Sequence, residues 1–309
     1  MYIGIDIGGT KCAVILANDA GQKLSRVSFP TEGYQATVER IMREVEKLLP
    51  CRAIGISCGG PLDESRGMIL SPPNLPGWDE IPITKMLEDR FGVPAYLCND
   101  ANACALAEWK FGAGKGKRNM VFLTFGTGMG AGLILDGKLY SGTNGNAGEV
   151  GHMRIAEYGP VGYGKAGSFE GFCSGGGIKQ LGQTLAREAL QAGKTTAYCR
   201  SYDELENISA KSLAVAADAG DETAKRVWQI AADKLGMGLS LLIDLLNPEA
   251  IVIGSIFERA EHLLRHGMEE VISREALPQS GRVCRVVPAA LGDEIGDYAA
   301  IAVAMKEGL

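Results

Sequence analysis

The pattern that opens this chain is written a second time in its middle, and that repetition constrains the fold more than any other feature. Tyr2–Ile7 runs into the turn Gly8-Gly9-Thr10, continues as Cys12–Ala17, turns at Asn18-Asp19-Ala20-Gly21 and returns as Lys23–Phe29. Asn119–Phe125 runs into Gly126-Thr127-Gly128-Met129-Gly130, continues as Ala131–Leu135, turns at Asp136-Gly137 and returns as Lys138–Ser141. Apolar, β-branched runs bounded by Gly and Asn/Asp turns predict strands. One three-stranded meander used twice predicts two related lobes with a cleft between them.

The two glycine turns also carry a chemical expectation. Glycine lets a backbone come close to a ligand, and the N–H groups of such a turn form an anion cradle. A matched pair of cradles predicts that the phosphates of one nucleotide are gripped from both sides. A corner used only for folding needs no charge, yet Asp6 and Lys11 flank the first turn. Lys11 is compatible with facing phosphates and equally with a solvated strand position.

Composition narrows the function classes. The chain has 309 residues and a net charge of −6, with no run of Lys or Arg that would form a basic face, so nucleic acid is disfavoured as a partner. Its eight cysteines (Cys12, Cys51, Cys58, Cys98, Cys104, Cys173, Cys199 and Cys284) never form a CxxC pair. Most lie in apolar runs, as thiols of a reducing compartment do. Met1 leads directly into the first strand and no 18-residue apolar run exists, so neither a signal peptide nor a membrane span is expected. A cytoplasmic enzyme is the expectation.

Periodicity supplies the remaining elements. Residues 36–49 have helical spacing closed by Pro50, Ala53–Ser57 is a short buried strand, and Gly59-Gly60-Pro61 is a turn. Helices are predicted at Ile83–Phe91, Ala101–Phe111, 178–192, 211–246, Ala260–Ile272 and Asp297–Lys306. Further strands are predicted at Ala95–Cys98, Ala250–Ile253 and Val283–Pro288. The Gly- and Lys-rich stretch 112–118 reads as a hinge. Alternating strands and helices make an α/β protein.

These residues resemble the ROK family of sugar kinases, relatives of hexokinase. The resemblance runs the length of the chain. It is carried by Asp6-Ile7-Gly8-Gly9-Thr10-Lys11, Gly60-Pro61-Leu62-Asp63, Pro73-Asn74-Leu75-Pro76-Gly77-Trp78 and Asn99-Asp100-Ala101-Asn102-Ala103. It continues in Phe125–Gly130, Gly148-Glu149-Val150-Gly151-His152 and Asn247-Pro248-Glu249-Ala250-Ile251-Val252-Ile253-Gly254. It implies a two-lobed actin-like ATPase (ribonuclease H-like) fold with a duplicated βββαβα unit and an interlobe cleft that closes on substrate. The first lobe is expected at 1–112 with the final helix, 294–309, packing back onto it; the second at 113–293. The implied activity is ATP-dependent phosphorylation of a hexose or hexose derivative, with Mg²⁺. Relatives are often dimers or tetramers, and a homodimer is expected. Part of the family are transcriptional repressors with a helix-turn-helix segment ahead of the first turn, for which this chain has no residues to spare. A catalytically silent sugar- and nucleotide-binding regulator is the alternative.

Phosphoryl transfer needs phosphate and metal ligation, a base and a shaped hydroxyl site. Gly8, Gly9, Thr10 and Lys11 with Gly126, Thr127, Gly128 and Gly130 supply the phosphate cradle, and Asp6 is placed to hold Mg²⁺ directly or through water. Gly254 matches the family's adenosine-contacting turn. Asp100 by itself reads as a helix N-cap; the family motif makes it the general base. The resemblance assigns the sugar to Gly60, Asn74, Asn99, Asp100, Glu149, His152 and Glu170. Taken alone, Asn74 reads as a turn residue and Glu149 as a loop acid. His262 and His266 read as surface residues.

One segment departs from the family. Most members follow the histidine with C-x-C-G-x-x-G-C-x-E, whose three thiolates and the histidine bind a structural zinc. Here Val161, Tyr163 and Ser168 stand at the thiolate positions, while the glycines and Glu170 remain. One histidine without cysteines does not make a tetrahedral zinc site, so no structural zinc is expected, and Cys173 reads as a buried thiol. Burial of Tyr158, Tyr163, Phe169 and Phe172 is expected to replace the folding energy of the metal.

Overall fold

A computed structural model describes residues 1–306. The first meander forms as β1 (Tyr2–Ile7), β2 (Lys11–Ala17) and β3 (Lys23–Pro30). They are followed by α1 (Tyr34–Glu46), β4 (Ile54–Cys58), the short hairpin β5 (Leu62–Asp63) and β6 (Met68–Ile69), α2 (Ile83–Phe91), β7 (Ala95–Asn99) and α3 (Asp100–Phe111). The second meander is β8 (Met120–Leu123), β9 (Ala131–Leu135) and β10 (Lys138–Tyr140). A small hairpin, β11 (Val161–Gly162) and β12 (Lys165–Ala166), precedes α4 (Phe169–Phe172) and α5 (Gly175–Gln191). Next come α6 (Ala210–Asp218), α7 (Glu222–Leu246), β13 (Ala250–Ile253) and α8 (Ile256–Glu275). The described chain closes with α9 (Pro278–Val283), β14 (Arg285–Pro288) and α10 (Ile295–Ala304).

The repetition seen in the sequence extends to topology. One five-stranded sheet has the order β3-β2-β1-β4-β7 and the other β10-β9-β8-β13-β14. In both, the first strand of the meander is central and the third lies at an edge. β1 pairs antiparallel with β2 and parallel with β4; β13 pairs parallel with β8 and β14.

The chain forms two compact units. The first contains Met1–Arg118, Gly132–Ala147 and the chain from Ala290 onward; the second contains Asn119–Ala131 and Gly148–Ala289. In the first unit, the two-residue period of β1 sorts its side chains. Ile3, Ile5 and Ile7 join Ile54, Ile56, Val38, Ile41, Val45, Ile83 and Leu87 in one core. Gly4 and Asp6 point to the opposite face, which α10 covers. A Cβ at Gly4 would stand 2.9 Å from Ala300 Cβ, and one at Gly55 would stand 2.1 Å from Ala304 N. Only bare strands admit so close a helix, and the helix answers with alanines. Buried Glu108 of α3 then accepts the N–H groups of Ala113 (2.7 Å), Ala290 (3.0 Å) and Leu291 (2.9 Å).

Three predicted elements are corrected. The helical stretch 211–246 is two helices, because Gly220 at φ 94° stops α6 and Asp221 caps α7 by accepting Ala224 N–H at 2.8 Å. The helix predicted at 178–192 starts at Gly175, where Ser174 accepts Gly177 N–H at 3.0 Å. The strand predicted from Val283 starts at Arg285, since Val283 ends α9. No helix among the described residues is long and apolar enough to cross a membrane.

Candidate active site

In the first unit, sequence-distant residues converge around the first glycine turn. Gly8 N–H donates to Lys11 O at 3.1 Å, and Thr31 Oγ1 donates to Gly8 O at 2.6 Å, which fixes the turn. The N–H groups of Gly9 and Thr10 have no partner among the described residues. A Cβ at Gly9 would stand 2.6 Å from Asn74 O, so the turn lies directly on the Asn74 loop. That loop is pinned by buried Leu75 and Trp78, with Trp78 N–H donating to Leu75 O at 3.2 Å. Asn74 itself is exposed.

Asn74 leads to the proposed base. A Cβ at Gly59 would stand 3.6 Å from Asn74 Nδ2 and 3.8 Å from Asp100 Oδ2, and one at Gly60 would stand 3.4 Å from Asn99 Nδ2. The N-cap of α3 is Asn99, whose side chain accepts Ala101 N–H at 3.0 Å. Asp100 is the first helical residue, exposed, and its Oδ1 accepts the same N–H at 2.8 Å. Asp100 is therefore not the cap that it resembles in isolation; its neighbour performs that role.

Asp6 lies on the α10 face of β1. Burial pushes its carboxyl up to about 6, helped by the charges of Asp297 and Asp100 and opposed by Arg26 and Lys11. Asp297, buried in the first turn of α10, is held by Lys23 Nζ at 2.9 Å and Arg26 Nε at 2.8 Å. No hydrogen bond or ion pair among the described residues reaches the side chain of Asp6, so its carboxylate is available to a cation. Lys11 is exposed.

The second unit holds the second glycine turn, closed by a different set of bonds. Gly126 N–H donates to Gly128 O at 3.1 Å, Thr124 N–H to Gly130 O at 3.0 Å, and Gly130 N–H to Thr124 Oγ1 at 2.8 Å. Again two successive N–H groups, those of Thr127 and Gly128, have no partner among the described residues. Met129 N–H donates to Glu170 Oε2 at 3.0 Å, tying the acid to this turn. Glu149 and His152 are exposed on the adjoining segment. Gly254 directly follows β13, its N–H donating to Leu123 O at 3.0 Å.

Two contributors to this turn were missed in the sequence. Gly175 N–H, at the start of α5, donates to Gly126 O at 2.8 Å; Ile256 N–H, at the start of α8, donates to Phe125 O at 2.9 Å. Both helix N-termini thus abut the turn, where their dipoles favour an anion. The run Ser174-Gly175-Gly176-Gly177 was the available signal for α5. Ser255, at φ 62°, had none that local pattern could supply.

The loop that departs from the family also needs correction. Phe169 and Phe172 are buried, but Tyr158 and Tyr163 are 78% and 83% exposed. Ser168 has become internal structure instead: its Oγ accepts Gly171 N–H at 3.1 Å and donates to Gly162 O at 3.4 Å. Gly159 and Gly164 turn the chain outward at φ 146° and 73°, which carries the tyrosines away from the core.

The family model that matches residues 2–307 is that of the ROK family. A glucokinase of Halalkalibacterium halodurans is 32% identical over 96% of this chain and 92% of its own length. The crystal structure of a ROK family glucokinase from Streptomyces griseus, in complex with glucose and AMPPNP, superposes with a TM-score of 0.75 at 29% identity, covering 99% of both chains. The DNA-binding transcriptional dual regulator NagC of Escherichia coli is 27% identical over 99% of this chain and 76% of that protein. The two five-stranded sheets are those of the two-domain actin-like kinases.

Proposed function

The chain belongs to the ROK family, and on that premise we propose that it transfers the γ-phosphoryl group of ATP to a hydroxyl of a hexose or hexose derivative. The observation that carries this reading is the cluster of Asp6, Gly9, Asn74, Gly59, Asn99 and Asp100 in the first unit. It combines a half-buried carboxylate with a raised proton affinity, an exposed carboxylate on a helix start, and backbone N–H donors without a partner among the described residues. The glucokinases among its relatives support the same reading.

In this reaction Asp100 accepts the proton of the attacking hydroxyl as the new O–P bond forms and ADP departs. Asn99 holds the helix start that carries Asp100, so the base does not swing with a fraying terminus. Asn74, Asn99, Glu149, His152 and Glu170 offer the mixed donors and acceptors that sugar hydroxyls require. The free N–H pairs at Gly9–Thr10 and Thr127–Gly128 bind phosphate oxygens, helped by the two helix N-termini. Asp6 would hold Mg²⁺, which supplies charge neutralisation to the phosphates when bound. A homodimer in the cytoplasm completes the proposal.

A second reading, a sugar- and nucleotide-binding regulator without turnover, is supported by the regulators among the relatives. ATP consumption with Mg²⁺ against hexoses, N-acetylhexosamines and β-glucosides separates the two, with Asp100→Asn as control. Turnover on one sugar that the variant abolishes upholds the kinase. Nucleotide binding with no turnover on any of them favours the regulator.

A further inference from the structure

The hairpin β11–β12 carries an apparent contradiction. Its two-residue loop is Tyr163-Gly164, with φ of 42° and 73°. Positive φ at both positions is what Asn-Gly or Asp-Gly satisfies without strain, and a bulky aromatic at the first position does not. Tyr163 also gains little from burial, since it is 83% exposed. A strained, exposed aromatic is explained by what it touches. Its ring meets that of His152 edge to face, with centroids 6.5 Å apart and planes at 75°. From the other side of the turn, Lys165 Nζ donates to His152 O at 2.7 Å.

The chemistry of the donors around His152 does not suit a metal. Val161 has no ligating atom, Ser168 Oγ is committed to Gly171 and Gly162, and the buried Cys173 thiol faces Ala231 O at 3.7 Å. No group of three His, Cys, Asp or Glu among the described residues could hold a metal ion.

We propose that the Tyr163-Gly164 hairpin is a metal-free clamp for His152. Lys165 fixes the backbone of His152 and Tyr163 fixes the plane of its ring, so both ring nitrogens remain available to ligand hydroxyls. No hydrogen bond among the described residues occupies either nitrogen. Tyr163 and Lys165 are positioning residues that act through His152. The ligand side of this inference rests on the sugar-kinase reading above; the orientation of the ring does not.

The test therefore has two readouts. Proton NMR of the three histidines, with His152→Gln for assignment, reports the ring-current shift that Tyr163 imposes on His152. Tyr163→Phe should keep that shift, and Tyr163→Asn should abolish it while melting at the same temperature or higher, because Asn suits the turn. In turnover, Tyr163→Asn should raise the sugar KM on the order of tenfold, with kcat and the ATP KM within about twofold; Tyr163→Phe should restore it. An unchanged His152 signal in Tyr163→Asn overturns the clamp, as does stoichiometric zinc in protein purified without chelator. Wild-type protein that phosphorylates no sugar would remove the kinase reading alone, since the NMR comparison still decides the clamp.

Discussion

Asp6 Oδ2 lies against Gly296 in the first turn of α10: a Cβ built on that glycine would stand 3.0 Å from it. The contact follows from matched spacing. Gly4 and Asp6 are two residues apart on a strand, about 7 Å, while their neighbours Ala300 and Gly296 are four apart on a helix, about 6 Å. The helix that seals the sheet at Gly4 therefore begins beside Asp6, whose carboxyl is raised first by burial and then by the charge of Asp297 that this helix brings close.

This arrangement predicts a stability cost for function. Asp6 is raised to about 6 from its ordinary 3.8. The folded state thus holds this proton more tightly than the unfolded one. Its stabilising contribution is full below about pH 4 and is lost as pH rises through about 6. Asp6→Asn should therefore be more stable than wild type at pH 7 by roughly 1–3 kcal/mol, with the gap closing near pH 4. Urea melts at the two pH values measure it, and the same variant should fail to respond to Mg²⁺.

Asp100→Asn should retain the fold and sugar binding but lose about 10²–10⁴ in kcat. Calorimetric sugar titration beside a coupled assay checks both halves. Asn99→Ala should instead cost about 1 kcal/mol through its lost cap, because its side chain receives Ala101 N–H.

Gly9→Ala places a methyl 2.6 Å from Asn74 O, so the Asn74 loop must shift. The expected result is a raised KM for sugar as well as for ATP. An effect confined to ATP would separate the turn from the loop.

Glu108 is fully buried, and removing it leaves three backbone N–H groups without their acceptor. Glu108→Ala should destabilise the protein by about 1–3 kcal/mol, since a stripped donor costs about that much when buried and these three are partly reached by water. Chemical denaturation gives the value. Glu108→Gln, which keeps an acceptor, should lose less.

Much of this molecule was legible before its structure. Tyr2–Ile7, Ile83–Phe91 and Ala250–Ile253 form with the bounds their patterns predict. Their signals are local: strand period, turn chemistry and helix stops act within a few residues. Where two local signals competed, reading failed. Gly220-Asp221 inside 211–246 is a stop and a start, yet the apolar period on both sides reads through it. Tyr158 and Tyr163 have core-like side chains, but positive-φ glycines beside them turn both outward.

What the chain announced in its own letters was the doubled meander, the two glycine turns and the acids beside them, because each is a short-range pattern tied to backbone chemistry. Which groups meet was left to packing. Asp6 acquires its raised carboxyl from a helix at the far end of the chain, and the turn at Gly126 acquires its helix N-termini from Gly175 and Ile256. Such approaches depend on surfaces that touch only after collapse, and no local period encodes them.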